Sequence, residues 1–400
     1  MMTGNIMDYL EWYGDFDFSV MPFNEVDNLI LAELSYASLD GIVPEPQLGR
    51  KLRSISVKEA ALKLDESGRL EKSCKLERNA GLLLLEMAKG RRFADAVLAG
   101  YVDKHDFENQ EQFSALHVYL SDGTLFVSYS GTDDTILGWK EDLNMAYQMP
   151  VPSQEEAVGY LEKTVPHDGR LIRIGGHSKG GNLAIYAAAM CYDRLKRRII
   201  AIYNNDGPGF LESMLEKKAY LEIKDKVRTI VPETSIIGML LEHGDSYEVV
   251  KSTGKGIMQH DGLSWQVYRN GFVKLDERSK ESLVIDKTIS AWVMGLSDDE
   301  RVAFVDAVYD MLTPVSYTHL RAQESRGLGD VYKRQVYDML TRAGVNYLSD
   351  LEKYKPATLN SMAKEMFSME PEKGRMVRRT IRALISEYGK NVVKGMRGIN

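Results

Sequence analysis

Gly176-His177-Ser178-Lys179-Gly180 sets a serine two residues from a glycine on either side. A serine hydroxyl attacks a carbonyl only when a base takes its proton and donors wait for the charge that forms on the carbonyl oxygen. The bare pattern is a weak signal, because chance alone supplies it in many chains, and the same residues also suit a Gly-rich turn without chemistry. Its surroundings strengthen it. Leu171-Ile172-Arg173-Ile174 predicts a strand leading in. Gly181, Ala184, Ala187, Ala188 and Ala189 predict a helix leading out, with a small-residue face that lies close on a sheet. Strand, strained serine turn and helix together make a nucleophile elbow, with free N–H groups at the helix start aimed at the reacting centre.

Such a serine needs an oxyanion hole, a base and an acid. The strand TLFVSYS runs into Gly131-Thr132-Asp133-Asp134, one crossover before the elbow strand. The N–H of Thr132 is therefore the expected donor, paired with that of Lys179. Partners in this arrangement follow the order serine, acid, histidine. Of the seven histidines, His105, His117 and His167 precede Ser178, His177 sits in its turn, and His319 lies in a suspect insert. His260, in a loop before the strand-like SWQV, is the expected base. His243 is the alternative, although as a cation ending an apolar helical run it has an adequate structural reason to be there. For the acid, Asp206 ends the strand IIAIYNND before Gly207-Pro208-Gly209, at the edge where sites of open α/β sheets lie. It could equally be a helix cap or turn former. Glu233, after VRTIVP, and Asp245 are the other two options.

Helical spacing marks residues 25–38, 57–65 and 77–89, and the period then changes to strands in AVLAGYVDKHD, FSALHVYLS and TLFVSYSG. Helices are expected near 136–146 and 153–164. From LIRIGG onward strands and helices alternate through KGGNLAIYAAAMCYDRL, RIIAIYNND, GFLESMLEKKAYL and VRTIVP, and SYEVVKS and SWQVYRN follow as strands. Alternation of this kind predicts an α/β-hydrolase fold, a mostly parallel sheet with helices on both faces. The expected divisions are a helical N-terminal segment over 1–95, the core over 96–275 and a helical C-terminal region over 276–400. A lid would come from residues 40–95 or from the C-terminal helices.

One stretch stands apart. VYDMLT occurs at 308–313 and again at 336–341, and the intervening VSYTHL and DVYKRQ read as translated sequencing-adapter ends. Removing 314–341 restores DDERVAFVDAVYDMLTRAGVNYL, a continuous helical pattern. Residues 314–335, with one copy of the hexapeptide, are accordingly read as an assembly artefact, a genuine polar loop being the alternative.

With 44% hydrophobic and 27% charged residues the composition is that of a globular protein with a sizeable core, and a net charge of −7 argues against a nucleic-acid partner. Two cysteines are too few for a secreted disulfide framework. With no signal-peptide pattern and no apolar run of transmembrane length, the expected location is cytoplasmic. No histidine–carboxylate cluster has metal-ligand spacing, and Gly254-Lys255-Gly256 is too short for a phosphate loop. Neither metal nor cofactor is expected. The expected partner is a small-molecule or lipid ester, with at most a transient contact to a membrane surface.

SYSGTDDTILGWKEDL resembles the oxyanion segment of fungal-type class-three lipases, GGHSKGG resembles their elbow, and His260-Asp261-Gly262-Leu263-Ser264 is similar to the segment around their histidine. DYLEWYGDFDF, PFNEVDNLILAELSYASLDGIV, YNNDGPGF and KGIMQHDGLSWQV resemble a bacterial family of lipase-like proteins of unknown function, over about residues 5–310. The resemblance implies a Ser-His-Asp hydrolase of carboxylic esters. The class-three lipases place their acid in an Asn-Asp-x-Val-Pro segment, and the matching Arg228-Thr229-Ile230-Val231-Pro232 lacks it, which moves the acid role toward Asp206. An acyltransferase or thioesterase on the same triad, or a non-catalytic binding protein on the same fold, are the alternatives.

Overall fold

A computed structural model describes residues 3–283, apart from 48–51, 71–78, 107–108, 110, 134–140, 143, 146–147, 245–246 and 280–281. The expected C-terminal helices beyond 283, the insert at 314–335, most of the helix expected near 136–146 and the alternative acid Asp245 fall outside the described residues. Residues 1–133 and 149–286 form one compact unit, and every element named below belongs to it.

Among the described residues the chain begins with four helices, α1 (Ile6–Tyr13), α2 (Glu25–Leu34), α3 (Val57–Glu66) and α4 (Ala80–Met87), and the starts of the first three are written in the sequence. Asn5 with Asp8, Asn24 with Asp27 and Ser56 with Glu59 each form a capping box, in which two otherwise unpaired N–H groups are satisfied reciprocally. α1 was not anticipated from the sequence, although Asn5, Asp8 and the buried Ile6, Tyr9 and Leu10 carry both its cap and its apolar stripe. A short strand β1 (Ser54–Ser56) precedes α3 and was likewise not anticipated.

Strands β2 (Val97–Asp106), β3 (Glu111–Tyr119) and β4 (Leu125–Tyr129) follow as an antiparallel meander. Then come α5 (Pro152–Thr164), β5 (Ile172–His177), α6 (Lys179–Met190), the short α7 (Asp193–Lys196) and β6 (Ile199–Asn205). Two one-turn helices, α8 (Glu212–Leu215) and α9 (Lys218–Leu221), replace the single helix expected over 209–221, and lead to β7 (Val227–Pro232) and β8 (Tyr247–Val250). The chain then makes the small hairpin β9 (Val267–Tyr268) and β10 (Gly271–Phe272) and the edge strand β11 (Lys274–Leu275).

Among the described residues the main sheet has nine strands, in the order β1-β2-β3-β4-β5-β6-β7-β8-β11. Pairings from β4 through β8 are parallel, and the outer pairings are antiparallel, so the sheet is mixed around a parallel centre. Successive residues of a strand face opposite sides. In β5 a Cβ on Gly175 would meet Asn28 of α2, whereas one on Gly176 would meet Gly180 of α6. In β4, Ser128 Oγ donates to Leu31 O of α2, and the next residue, Tyr129, donates to Ala157 O of α5. Helix α2 therefore covers one face, and α5 and α6 the other.

The N-terminal helices and the sheet share one apolar core, in which Ile6, Leu29, Ile30, Leu31, Leu64, Leu83 and Phe93 pack with Leu98, Leu116, Phe126 and Trp265. A fully buried ion pair ties this layer down. Arg92 donates to both carboxylate oxygens of Asp27, at 2.6 and 2.5 Å, and to the carbonyls of Phe16 and Met21 at 2.9 Å each.

Candidate active site

The parallel strands all end at one edge of the sheet, and the nominated residues leave from successive ends. Ser178 follows β5 and opens α6 with φ +55° and ψ −134°. A non-glycine residue there costs of order 1–3 kcal/mol, so surrounding bonds must hold it. Ser178 N donates to Asn205 O at 2.9 Å, and Gly181 N returns to Ser178 O at 2.9 Å. The flanking glycines are steric necessities. A Cβ on Gly176 would stand 2.3 Å from the Gly180 carbonyl carbon, and one on Gly180 would stand 2.1 Å from Tyr129 O.

Beneath the turn, Asn205 Nδ2 donates to Gly176 O at 3.0 Å and to Asn28 Oδ1 at 3.2 Å, while Asn28 Nδ2 donates back to Asn205 Oδ1 at 2.8 Å. This buried amide pair joins α2, the end of β6 and the elbow strand. Sequence pattern gave no sign of it, because an Asn on a helix face and another ending a strand announce no partnership.

Asp206 follows β6, fully buried and also at positive φ, +51°. His260 Nδ1 lies 2.7 Å from Asp206 Oδ2. A carboxylate only accepts, so Nδ1 carries a proton, and in the neutral tautomer that fits this contact Nε2 bears the lone pair. The other carboxylate oxygen, Oδ1, accepts from Ser235 Oγ. His260 ends a 3-10 turn, Gly256–His260, and its backbone is held from several sides. Gln259 accepts from Thr234 N at 2.8 Å on its side chain and from Trp265 Nε1 at 2.9 Å on its carbonyl.

His177, inside the elbow, plays a part that its position in the motif did not disclose. Its Nε2 donates to His260 O at 2.7 Å, its ring lies 4.6 Å from the His260 ring, and Tyr36 O–H donates to its Nδ1 at 3.1 Å. Burial, and the neighbouring His260, push its pKa well below the ordinary histidine value, so the ring is neutral.

Thr132 lies buried after β4. A Cβ on Gly131 would stand 3.0 Å from Ser178 Cβ, which puts this loop against the serine. The next residue, Asp133, meets His105 Nε2 at 2.6 Å, and that contact raises the His105 pKa. Lys179 extends a buried side chain to the start of β3, donating to Gln112 O at 2.8 Å and to Gln112 Oε1 at 2.7 Å.

The remaining nominees lie apart from this contact. Glu233 follows β7, and its backbone pairs with Val250 O and Ser279 N, but no histidine meets its carboxylate among the described residues. His243 differs from its expected setting. The run GMLLEH leaves a 3-10 turn over Ile237–Met239, bends through Leu241 at φ +66° and bridges Phe210 at Glu242, so no helix end faces His243. Pairing with Phe210 on the strand-exit loop wins over helical periodicity there. The His243 ring instead contacts Gly238 O. Among the described residues no group of three or more His, Cys, Asp or Glu is placed to hold a metal ion, and no helix is long and apolar enough to cross a membrane.

The serine turn after β5 and the Asp206 that meets His260 both follow parallel strands of a mixed α/β sheet, an architecture consistent with a lipase-like fold. Residues 87–310 match the Mbeg1-like family, and the chain belongs to it. At that level it is a lipase-like hydrolase. No curated protein matches the chain. Among solved structures it is similar to the crystal structure of M37 lipase, with 16% identity over 54% of this chain and 70% of that one, at a TM-score of 0.33.

Proposed function

We propose that the chain is a serine hydrolase of the α/β-hydrolase fold that cleaves carboxylic esters through an acyl-enzyme. Ser178 is the nucleophile, His260 the general base and Asp206 the acid that orients it. The observation that carries this reading is the 2.7 Å contact from His260 Nδ1 to Asp206 Oδ2, made at the sheet edge where Ser178 stands at φ +55°.

His260 Nε2 takes the Ser178 proton as Oγ attacks the ester carbonyl, and the N–H groups of Thr132 and Lys179 hold the oxyanion. The proton then passes to the leaving alcohol as the carbon–oxygen bond breaks. Water, giving its proton to the same nitrogen, attacks the acyl-enzyme and releases the acid and the serine. Asp206 keeps the imidazole in the required tautomer and stabilises the imidazolium that forms between these steps. The substrate is a small-molecule or lipid ester, and the free, buried Cys191 fits a cytoplasmic setting.

A fluorophosphonate probe tests this directly. The full chain is expected to label at Ser178, and Ser178→Ala is expected to abolish both labelling and turnover of a short-chain ester. An unlabelled wild-type chain, beside a control esterase that labels, overturns the reading.

A further inference from the structure

The carboxylate that meets His260 is buried with no exposed surface, and its hydrogen bonds divide cleanly. Oδ2 is taken by His260. Oδ1 is taken by the hydroxyl of Ser235, three residues beyond the end of β7. Ser235 is itself buried at 1% exposure and is anchored by its backbone, its N–H donating to Pro232 O at 3.1 Å and its carbonyl accepting from Ser282 Oγ at 2.8 Å. Space around the pair is closed. A Cβ on Gly238 would stand 2.1 Å from Asp206 Oδ1 and 2.8 Å from Ser235 Oγ, so only glycine fits there.

We infer that Ser235 is a positioning residue of this centre, whose hydroxyl holds the Asp206 carboxylate in the rotamer that meets His260. The inference rests on the serine-hydrolase reading above and names a fourth side chain for it. A hydrogen bond donated to a carboxylate stabilises its charged form, and in a buried site no water replaces a lost donor. Without the hydroxyl, Oδ1 is a buried acceptor with nothing to accept. The carboxylate becomes more basic, and the His260–Asp206 pair holds its proton more tightly. Catalysis needs His260 neutral, so the acid limb of the pH–rate profile moves to higher pH.

The test is the rate at which a fluorophosphonate labels Ser178 across pH 5 to 9, in the full chain and in Ser235→Ala. The expected result is a fall of about ten-fold or more at neutral pH, with the acid limb displaced upward by about half a pH unit or more. A merely structural loss lowers the rate at every pH without moving the limb, and that superposition after scaling overturns the inference. Ser235→Cys, of similar size but a weak donor, is expected to show the same displacement, and serves where the alanine variant does not fold. Since Ser235 acts through Asp206, adding Ser235→Ala to Asp206→Asn is expected to change the rate no further, and a full additional loss also counts against the inference. If the wild-type chain does not label at any pH, the serine-hydrolase reading falls and takes this inference with it. If the wild type labels and Ser235→Ala follows the same profile, only the role of Ser235 falls.

Discussion

Asp206 and Glu233 leave neighbouring strands at the same edge of the sheet, and their surroundings are what set them apart. Asp206 is buried against His260 and Ser235, whereas Glu233 is partly exposed and makes its contacts through the backbone. Asp206→Asn is expected to lower ester turnover by roughly 10³-fold or more, because the amide presents a donor to Nδ1 and reverses the tautomer. Glu233→Gln is expected to leave turnover within about two-fold, the usual tolerance of a site without charged partners. Steady-state kinetics of the two variants read this directly, and the opposite ranking sinks the assignment of the acid. The candidates for chemistry come from the sequence because a nucleophile motif, the order of partners and the strand ends restrict them to a few. Their supports do not. Ser235, Asn205 and Tyr36 are ordinary polar residues whose roles depend on neighbours far along the chain.

Among the elements, strands and long helices were read well where periodicity is strong, as in β2 through β6 and in α2, α5 and α6. The misses have physical reasons. GMLLEH has helical spacing, but its backbone pairs Glu242 with Phe210 across the strand-exit loop, and long-range bonds override local preference. The segment 209–221 breaks into two single turns for which the pattern offered no signal. Nor did the sequence announce that α2 lies on the sheet itself, since an apolar helix can cover any apolar surface. The layer containing α2 is secured by Arg92 and Asp27, both side chains fully buried. Arg92→Met leaves the Asp27 carboxylate uncompensated and is expected to cost about 3–5 kcal/mol of unfolding free energy. Adding Asp27→Asn is expected to recover part of that loss, and chemical denaturation of the two variants measures both. A double variant no more stable than the single one contradicts the charge argument.

At the level of the whole molecule, pH acts on stability through a histidine remote from the chemistry. His117 is buried between β3 and α5, donating from Nε2 to Thr164 Oγ1 at 3.0 Å, while its Nδ1 has no hydrogen-bond partner among the described residues. Burial pushes its pKa down to about 3. In the unfolded chain a histidine titrates near 6.5. Above that value both states are neutral there and the full stability is present. As pH falls from about 6.5 toward 3, the unfolded state gains a proton that the folded state refuses, and stability is lost at up to about 1.4 kcal/mol per pH unit. Denaturation midpoints at pH 7, 6, 5 and 4.5 should therefore decline, and more shallowly in His117→Gln. Equal slopes in the two proteins refute the attribution to His117.

The amide pair beneath the elbow also has a consequence in time. Asn28 and Asn205 are 177 positions apart, so the first layer of the fold cannot be locked to the serine turn until most of the sheet exists. At synthesis rates of 5–20 residues per second, α2 leaves the ribosome roughly 10–35 s before its partner strand end. Until β2 to β4 emerge its apolar face has no strand to cover, and the nascent chain depends on collapse or chaperones to keep it from other surfaces. A contact spanning so much chain is expected to form late in folding, so the Asn28–Asn205 bracing of the turn comes after the strands it joins.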